Sequence, residues 1–281
     1  MALVLPRIVC IDVGASYYPH PSWEVFRRSP NTQWIAVEPN AENLFYLKNW
    51  SWPSSPISVE KGLSELGGMQ TLYITNVDTG SSLLEPVIEA SMVHRVPSLD
   101  YFFPLKMVAI DTMTLQQVID QTNDLKSPIS IKLDTQGSEF SIIRGMNQTV
   151  LETRVFCVEI ENTLLAQPIM KDSAPFYTVF EFFETRGFEL VHLKPIQINA
   201  PLAAGKLHGE TVLNECDAVF LLRPDVAIKR DLDAQLALLG AYIAYSLYGE
   251  ALNLLTHIVG NRDNSVELKD KCRSISTLLV P

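Results

Sequence analysis

The chain has 281 residues, 47% of them hydrophobic and 19% charged, enough to bury a large core and without the composition of a disordered chain. Its 22 Lys and Arg stand against 32 Asp and Glu, a net charge of −10 without the clustered cations a polyanion needs, so nucleic acid is not expected as a partner. The opening MALVLPRIVC is too short for a signal peptide and lacks a cleavage site, and no apolar run reaches the length of a membrane span.

Taken in chain order, short β-branched runs alternate with helical stretches, the pattern of a parallel sheet covered on both faces. Strands are expected at 7–13, 33–38, 57–61, 129–134 and 155–161, then at 189–193 and 217–222. Helices are expected at 23–28, 41–50, 115–122, 139–146 and 175–186. Asn40 is placed to cap the second helix, and Gly187 suits the left-handed end of the fifth. The stretch 62–127 is too long for one crossover; it holds a possible hairpin at 71–75 and a strand-like run at 107–111. Residues 195–215 carry Pro, Gly and polar residues and read as a long loop. From 231 to 260 the chain is helical, with Gly249 punctuating two helices that read as a packing or dimer element. The cysteines Cys10, Cys157, Cys216 and Cys272 have no metal-type spacing, and the first three sit in apolar strands. They read as reduced thiols of a cytoplasmic protein.

The chemistry begins where the first strand closes on Asp12-Val13-Gly14-Ala15-Ser16. Gly14 lets the backbone approach a ligand, and the helix that follows points its N–H groups at the same place. The second strand ends on Glu38, 24 residues beyond Gly14. An acid closing that strand either accepts the hydroxyls of a ribose in the crevice between neighbouring strands or faces solvent before the helix, where it suits the N-terminal dipole; the Gly14 turn favours the ribose. A pyrophosphate needs three glycines in G-x-G-x-x-G; here Ser16 and Pro19 occupy the later positions, which disfavours a dinucleotide. Adenosylmethionine has no phosphates to cradle and tolerates this turn.

ISIKLDTQGSEFSIIRGM, residues 129–146, is a strand ending on Lys132 and Asp134, a tight turn at Gly137, then a helix from Ser138. Here the chain resembles the FkbM-type methyltransferase family, whose strand-end Lys-x-Asp followed by Gln-Gly, a small residue and Glu stands as Lys132, Asp134, Gln136, Gly137, Ser138 and Glu139. DVGAS is similar to the family's first motif, AVEPNAENLFYL to its second, Gly80-Ser81-Ser82-Leu83 to its Ser-Ser-Leu turn, CVEIEN to its fifth strand and ECDAVFLLR to its closing strand. The likeness covers roughly residues 7–223; Ser16, Tyr18 and Pro19 depart from the family's Asn and second Gly. It implies an α/β fold, a Rossmann-like class I methyltransferase sheet that is mostly parallel with an antiparallel last strand. Residues 1–224 would form that domain and residues 225–281 a C-terminal helical appendage.

The resemblance also implies an O-methyltransferase acting on a sugar or secondary metabolite, with S-adenosylmethionine as cofactor. The candidate cofactor residues are Asp12, Gly14, Ala15, Ser16, Glu38, Pro39, Asn40, Gly62 and Ser82. Methyl transfer is an in-line displacement, so the protein must hold the acceptor oxygen and help remove its proton. Asp134 is the leading base; Lys132 pairs with a carboxylate or binds the acceptor, Glu139 acts there or only caps its helix, and His192, His20 and His208 are the histidines to test. Glu159 and Glu161 alternate along the fifth strand, and one of them, Glu161 first, would join Asp134 in supplying oxygens for Mg²⁺ if a metal takes part. The expected partner is a small-molecule or glycan acceptor, with a homodimer through the C-terminal helices. Two rivals stand beside this reading: a noncatalytic scaffold that kept the fold, and an NAD(P)-dependent oxidoreductase.

Overall fold

The computed structural model describes residues 5–17, 23–27, 29–50, 55–88, 102–165, 168–198, 212–261, 264–266, 268–270 and 272. Among these, seven strands form one sheet in the order β3-β2-β1-β7-β8-β10-β9. They are β1 (Ile8–Val13), β2 (Thr32–Val37), β3 (Ile57–Val59), β7 (Ile129–Leu133), β8 (Val155–Thr163), β9 (Phe188–Ile198) and β10 (Val212–Leu222). The pairs β3–β2, β2–β1, β1–β7 and β7–β8 are parallel, whereas β10 runs antiparallel to both β8 and β9. This is the mostly parallel sheet with one reversed strand that the sequence implies. Every residue of β1 and β7 is buried, as a strand with both faces covered requires.

The crossovers are α1 (Glu24–Arg27), α2 (Ala41–Lys48), α3 (Leu115–Asp120), α4 (Glu139–Arg144), α5 (Gln148–Arg154) and α6 (Phe176–Glu184). Asn40 caps α2 by accepting from the Glu42 N–H at 3.0 Å. Thr114 and Gln117 form a capping box on α3, and Asn147 caps α5, a helix the apolar pattern alone did not mark. Gly187 adopts φ 83 just after α6, where its left-handed backbone turns the chain into β9. On the α6 face, Phe183 stacks on Phe220 at 4.7 Å and meets Phe188 edge-on.

The long stretch after β3 forms a second sheet. Its strands β4 (Gly62–Leu63), β5 (Gly68–Thr75) and β6 (Pro104–Met113) are ordered β4-β6-β5, and β5 pairs antiparallel with β6. The possible hairpin at 71–75 is corrected: these residues belong to the single strand β5, whose antiparallel partner β6, holding the expected run at 107–111, begins only at Pro104. The loop expected at 195–215 is corrected: β9 continues to Ile198 and β10 begins at Val212, leaving 199–211 outside the described residues. Pro195 fits within β9 because this is the outer strand, where a residue without an N–H is tolerated.

After α7 (Pro224–Ala227), α8 (Leu232–Ala244) and α9 (Tyr248–Gly260) complete the described elements. The break between them falls at Ser246, at φ 59, and not at Gly249, which lies inside α9. Ala237, Leu238 and Tyr242 of α8 share one core cluster with the sheet. A Cβ on Gly240 would come within 2.9 Å of Leu5, so this glycine lets α8 lie close to the start of β1.

Candidate active site

Between β1 and β7 the winding of the sheet reverses: β1 leads outward to β2 and β7 leads the other way to β8. In open α/β sheets ligands bind beyond the carboxyl ends of the strands at such a switch point. A cavity of about 540 Å³ opens there, between the main sheet and the inner face of the small one. Gly14, Ser16, Glu38, Pro39, Asn40, Gly62, Ser82 and Asp134 all line it. Leu72 and Ile74 of β5 with Val108 and Ile110 of β6 make the aliphatic wall opposite, flanked by Lys61 and Lys106. Asp12 and Ala15 lie beneath, at 4% and 1% exposure; Ala15 packs with Ala36, Leu44 and Leu47.

Gly14, at φ 78, is required by the chain itself: a Cβ there would stand 1.8 Å from the carbonyl oxygen of Asp134. The turn after β1 therefore closes directly on the end of β7. Glu38 accepts from the Asn40 N–H at 2.8 Å through one carboxylate oxygen. Burial pushes this carboxyl up to about 7 against that hydrogen bond, and Asp78, Asp12 and Asp134 push in the same direction as burial. Ser82 donates to the carbonyl of Gln136 at 2.8 Å, tying the small-sheet side of the cavity to the turn after β7.

Lys132 is the buried cation of the site, 7% exposed. Its Nζ lies 3.0 Å from Asp134 and 3.9 Å from Asp12, whose strand register places it directly opposite on β1. Burial alone would lower the lysine's pKa; the two carboxylates outweigh it and raise it. Burial lifts Asp12 to about 6 although Lys132 pulls it down. Asp134 is also pushed up by burial, yet the charge and hydrogen bond of Lys132 bring it below the ordinary carboxylate range.

Glu139 turns inward, 1% exposed, and its Oε1 accepts from the backbone N–H groups of Thr135 at 2.7 Å and Gly137 at 3.0 Å. It braces the turn that carries Asp134, and burial raises its carboxyl to about 7 against those bonds. Glu161 lies outside the main cavity, in a smaller pocket of about 20 Å³ shared with Glu215. Burial, with the negative charge of Asp134, Glu215 and Glu139, raises Glu161 well above its usual range, and it hydrogen-bonds to Asp134. Gln136 lines both cavities and donates to Glu161 at 2.7 Å. His192 sits apart on β9, exposed, its ring 6.4 Å from that of Tyr245. His20, His94 and His208 lie outside the described residues. Among the described residues no group of three or more His, Cys, Asp and Glu side chains is arranged to hold a metal ion.

Several contributors have partners that the sequence does not indicate. Tyr245, beyond α8, donates to Glu159 at 2.8 Å, and Glu159 is the register partner of Lys132. Burial lifts Glu159 to about 7 although Tyr245 and Lys132 oppose it. Tyr17 donates to Asp78 across the rim of the main cavity, which lifts the tyrosine to about 12. Gln136 was visible as part of the hallmark, but its left-handed backbone at φ 56, followed by Gly137 at φ 102, was not.

A reversed strand in an otherwise parallel sheet, a single-glycine turn at its switch point and an acid closing the neighbouring strand belong to the Rossmann-like methyltransferases that use S-adenosylmethionine. The chain is one of these: the family model described as the methyltransferase FkbM domain matches residues 12–190, and the protein belongs to the FkbM methyltransferase family. Among solved structures it is similar to a precorrin-6y C5,15-methyltransferase from Geobacter metallireducens, at 13% identity over 78% of this chain and 82% of that one, with a TM-score of 0.36. An S-adenosylmethionine-dependent methyltransferase from Anabaena variabilis gives 11% identity over 78% and 77%, with a TM-score of 0.32. Likenesses this faint carry no argument of their own. No curated protein matches the chain.

Proposed function

We propose that this methyltransferase is an O-methyltransferase whose acceptor is a hydroxyl of a sugar or another small molecule. The observation that carries the reading is Asp134: an acid held ionised by Lys132, on the wall of the cavity at the switch point. The residues fit S-adenosylmethionine, because the cavity has room for a nucleoside, Glu38 keeps a second carboxylate oxygen for ribose hydroxyls, and no glycine cradle for a pyrophosphate is built. Bound there, the cofactor supplies an electrophilic methyl group. The protein's own part is to orient the acceptor and take its proton, a task for the Asp134 carboxylate. Lys132 and Glu139 support that group from behind and below, one by charge and one by bracing its turn. On this reading the base is a carboxylate, and Mg²⁺ through Asp134 and Glu161 is a separate question for chelation.

The four cysteines are free and buried, in keeping with a reducing cytoplasm, and no helix among the described residues is long and apolar enough to cross a membrane. Helices α8 and α9 serve here as a packing element of the sheet domain and as the place to look for a homodimer contact. Calorimetric titration with S-adenosylhomocysteine tests the cofactor site, with micromolar binding expected in the wild type and its collapse in Glu38→Ala. An acceptor screen beginning with neutral sugars, scored by methyl incorporation with and without a chelator, then tests the reaction. Binding without turnover on any acceptor would favour a noncatalytic protein of the same fold.

A further inference from the structure

Beside the bond of Ser82 to Gln136, a side-chain contact between Tyr17 and Asp78 spans the two walls of the cavity. Tyr17 follows the cavity-lining Ser16 in the turn after β1, and its hydroxyl donates to Oδ2 of Asp78. Asp78 opens a short 3-10 turn, Asp78–Gly80, on the small-sheet side, and lines the same cavity as Glu38. The partners are 61 positions apart in sequence, so the bond joins the turn after β1 to the small-sheet side of the cavity.

Both ends of the bond are held. The backbone of Tyr17 stands at φ 63, in the left-handed region that residues with a side chain rarely adopt. Its ring lies 5.7 Å from that of Tyr46 on α2. On the other side, Oδ1 of Asp78 accepts from the Thr79 N–H at 3.0 Å, which leaves Oδ2 for the tyrosine. The Ser81 N–H bonds to the carbonyl of Asp78 at 3.1 Å, and Ser82 is tied to Gln136 in the turn after β7. The turn that carries Asp78 is thus fixed to the loop that carries Asp134.

We infer that Tyr17 and Asp78 form a clasp over the Glu38 end of the cavity, which retains the cofactor and opens for its exchange. The inference rests on the reading of this cavity as the S-adenosylmethionine site. A nucleoside held by Glu38 passes the rim only when the tyrosine leaves the carboxylate. A single hydrogen bond to a charged acceptor on a partly exposed rim is strong enough to hold a loop and weak enough to break during turnover. Tyr17 also gives a role to a position beside the first-motif departures, where this chain spends a bulky side chain in a turn built around one glycine.

The test is stopped-flow binding of S-adenosylhomocysteine to the full chain in wild type, Tyr17→Phe, Asp78→Asn and the double variant, with thermal melting to establish that each is folded. Each single variant is expected to release the ligand about five to ten times faster, with faster association as well. The double variant is expected to be no faster than the faster single one, because both changes act on the same bond: Tyr17→Phe removes its donor, and Asp78→Asn leaves one uncharged oxygen for Thr79 and Tyr17 to share. Equal rates in all four proteins overturn the clasp. Faster release in Asp78→Asn alone also overturns it, since the carboxylate would then be touching the ligand unaided. Failure of the wild type to bind at all overturns the cofactor reading and the clasp with it, whereas binding at unchanged rates overturns the clasp alone.

Discussion

Lys132→Met removes the one cation placed between Asp12 and Asp134 while keeping most of the side chain's volume. Deleting one partner of a buried ion pair costs about 3–5 kcal/mol, because the charge left behind is still out of water. The Asp134 side chain is 37% exposed to the cavity, so water takes over part of its loss; that of Asp12 is only 6% exposed and bears most of the penalty. A cost of about 3 kcal/mol follows, or a fall in melting temperature of roughly 5 °C for a chain of 281 residues. The effect carries a pH signature. Without the lysine, Asp12 rises beyond its value of about 6, and Asp134 loses the charge that held it down. A carboxyl raised above its unfolded value keeps its proton preferentially in the folded chain, so the variant's stability falls as pH climbs through that raised value. The gap between wild type and variant should therefore be small near pH 5 and wide at pH 8. Differential scanning calorimetry across that range measures it. A gap below about 1 kcal/mol, or one that stays flat with pH, would refute the hub role given to Lys132.

Glu38, raised to about 7, gains its charge across neutrality, so S-adenosylhomocysteine binding should tighten up to about tenfold from pH 6 to pH 8 and lose that dependence in Glu38→Gln, as read by titration calorimetry. Glu139 is likewise raised to about 7 and buried, so it destabilises the fold as pH rises from about 4.5 through 7. Glu139→Gln keeps an acceptor for the Thr135 and Gly137 N–H groups, and its denaturation midpoint should decline less between pH 5 and pH 8 than that of the wild type. Gly14 and Gly68 both have positive φ, at 78° and 88°, but a Cβ meets the Asp134 carbonyl at Gly14 and nothing within 4 Å at Gly68. Gly68→Ala should cost about 1 kcal/mol by chemical denaturation, and Gly14→Ala several times more or no soluble protein at all.

The parallel part of the sheet was legible because strands buried on both faces must be apolar along their whole length, and IVCIDV and ISIKL are nearly so. The polar residues that interrupt those runs were the informative ones: Asp12 and Lys132 sit opposite each other in the register, and Glu159 is next in the row. Sequence places Asp12 and Lys132 near the ends of their strands and Glu159 in the middle of its own; only pairing across three strands turns them into one charged unit. The cofactor side was readable for the same reason, since Gly14 and Glu38 close neighbouring strands at the point where the winding reverses.

What was not legible came from distant parts of the chain. The small sheet brings Asp78 to the rim opposite Tyr17, and no local pattern couples positions 61 residues apart. Its strands β5 and β6 have an exposed outer face with Met69, Leu105 and Met107, so alternation there did not say which side faced the cavity. Tyr245 lies outside the matched family domain, yet it reaches Glu159 through the sheet face that α8 covers. That contact has a consequence for how the site is built. The row Asp12, Lys132 and Glu159 is buried on a face whose polar groups need partners, and Tyr245 supplies one at the edge of the row. Cutting the chain before α8 would strip apolar cover from the core and remove a donor to Glu159 in the same step. The helices after residue 224 are therefore bound to the chemistry of the sheet by a hydrogen bond as well as by packing.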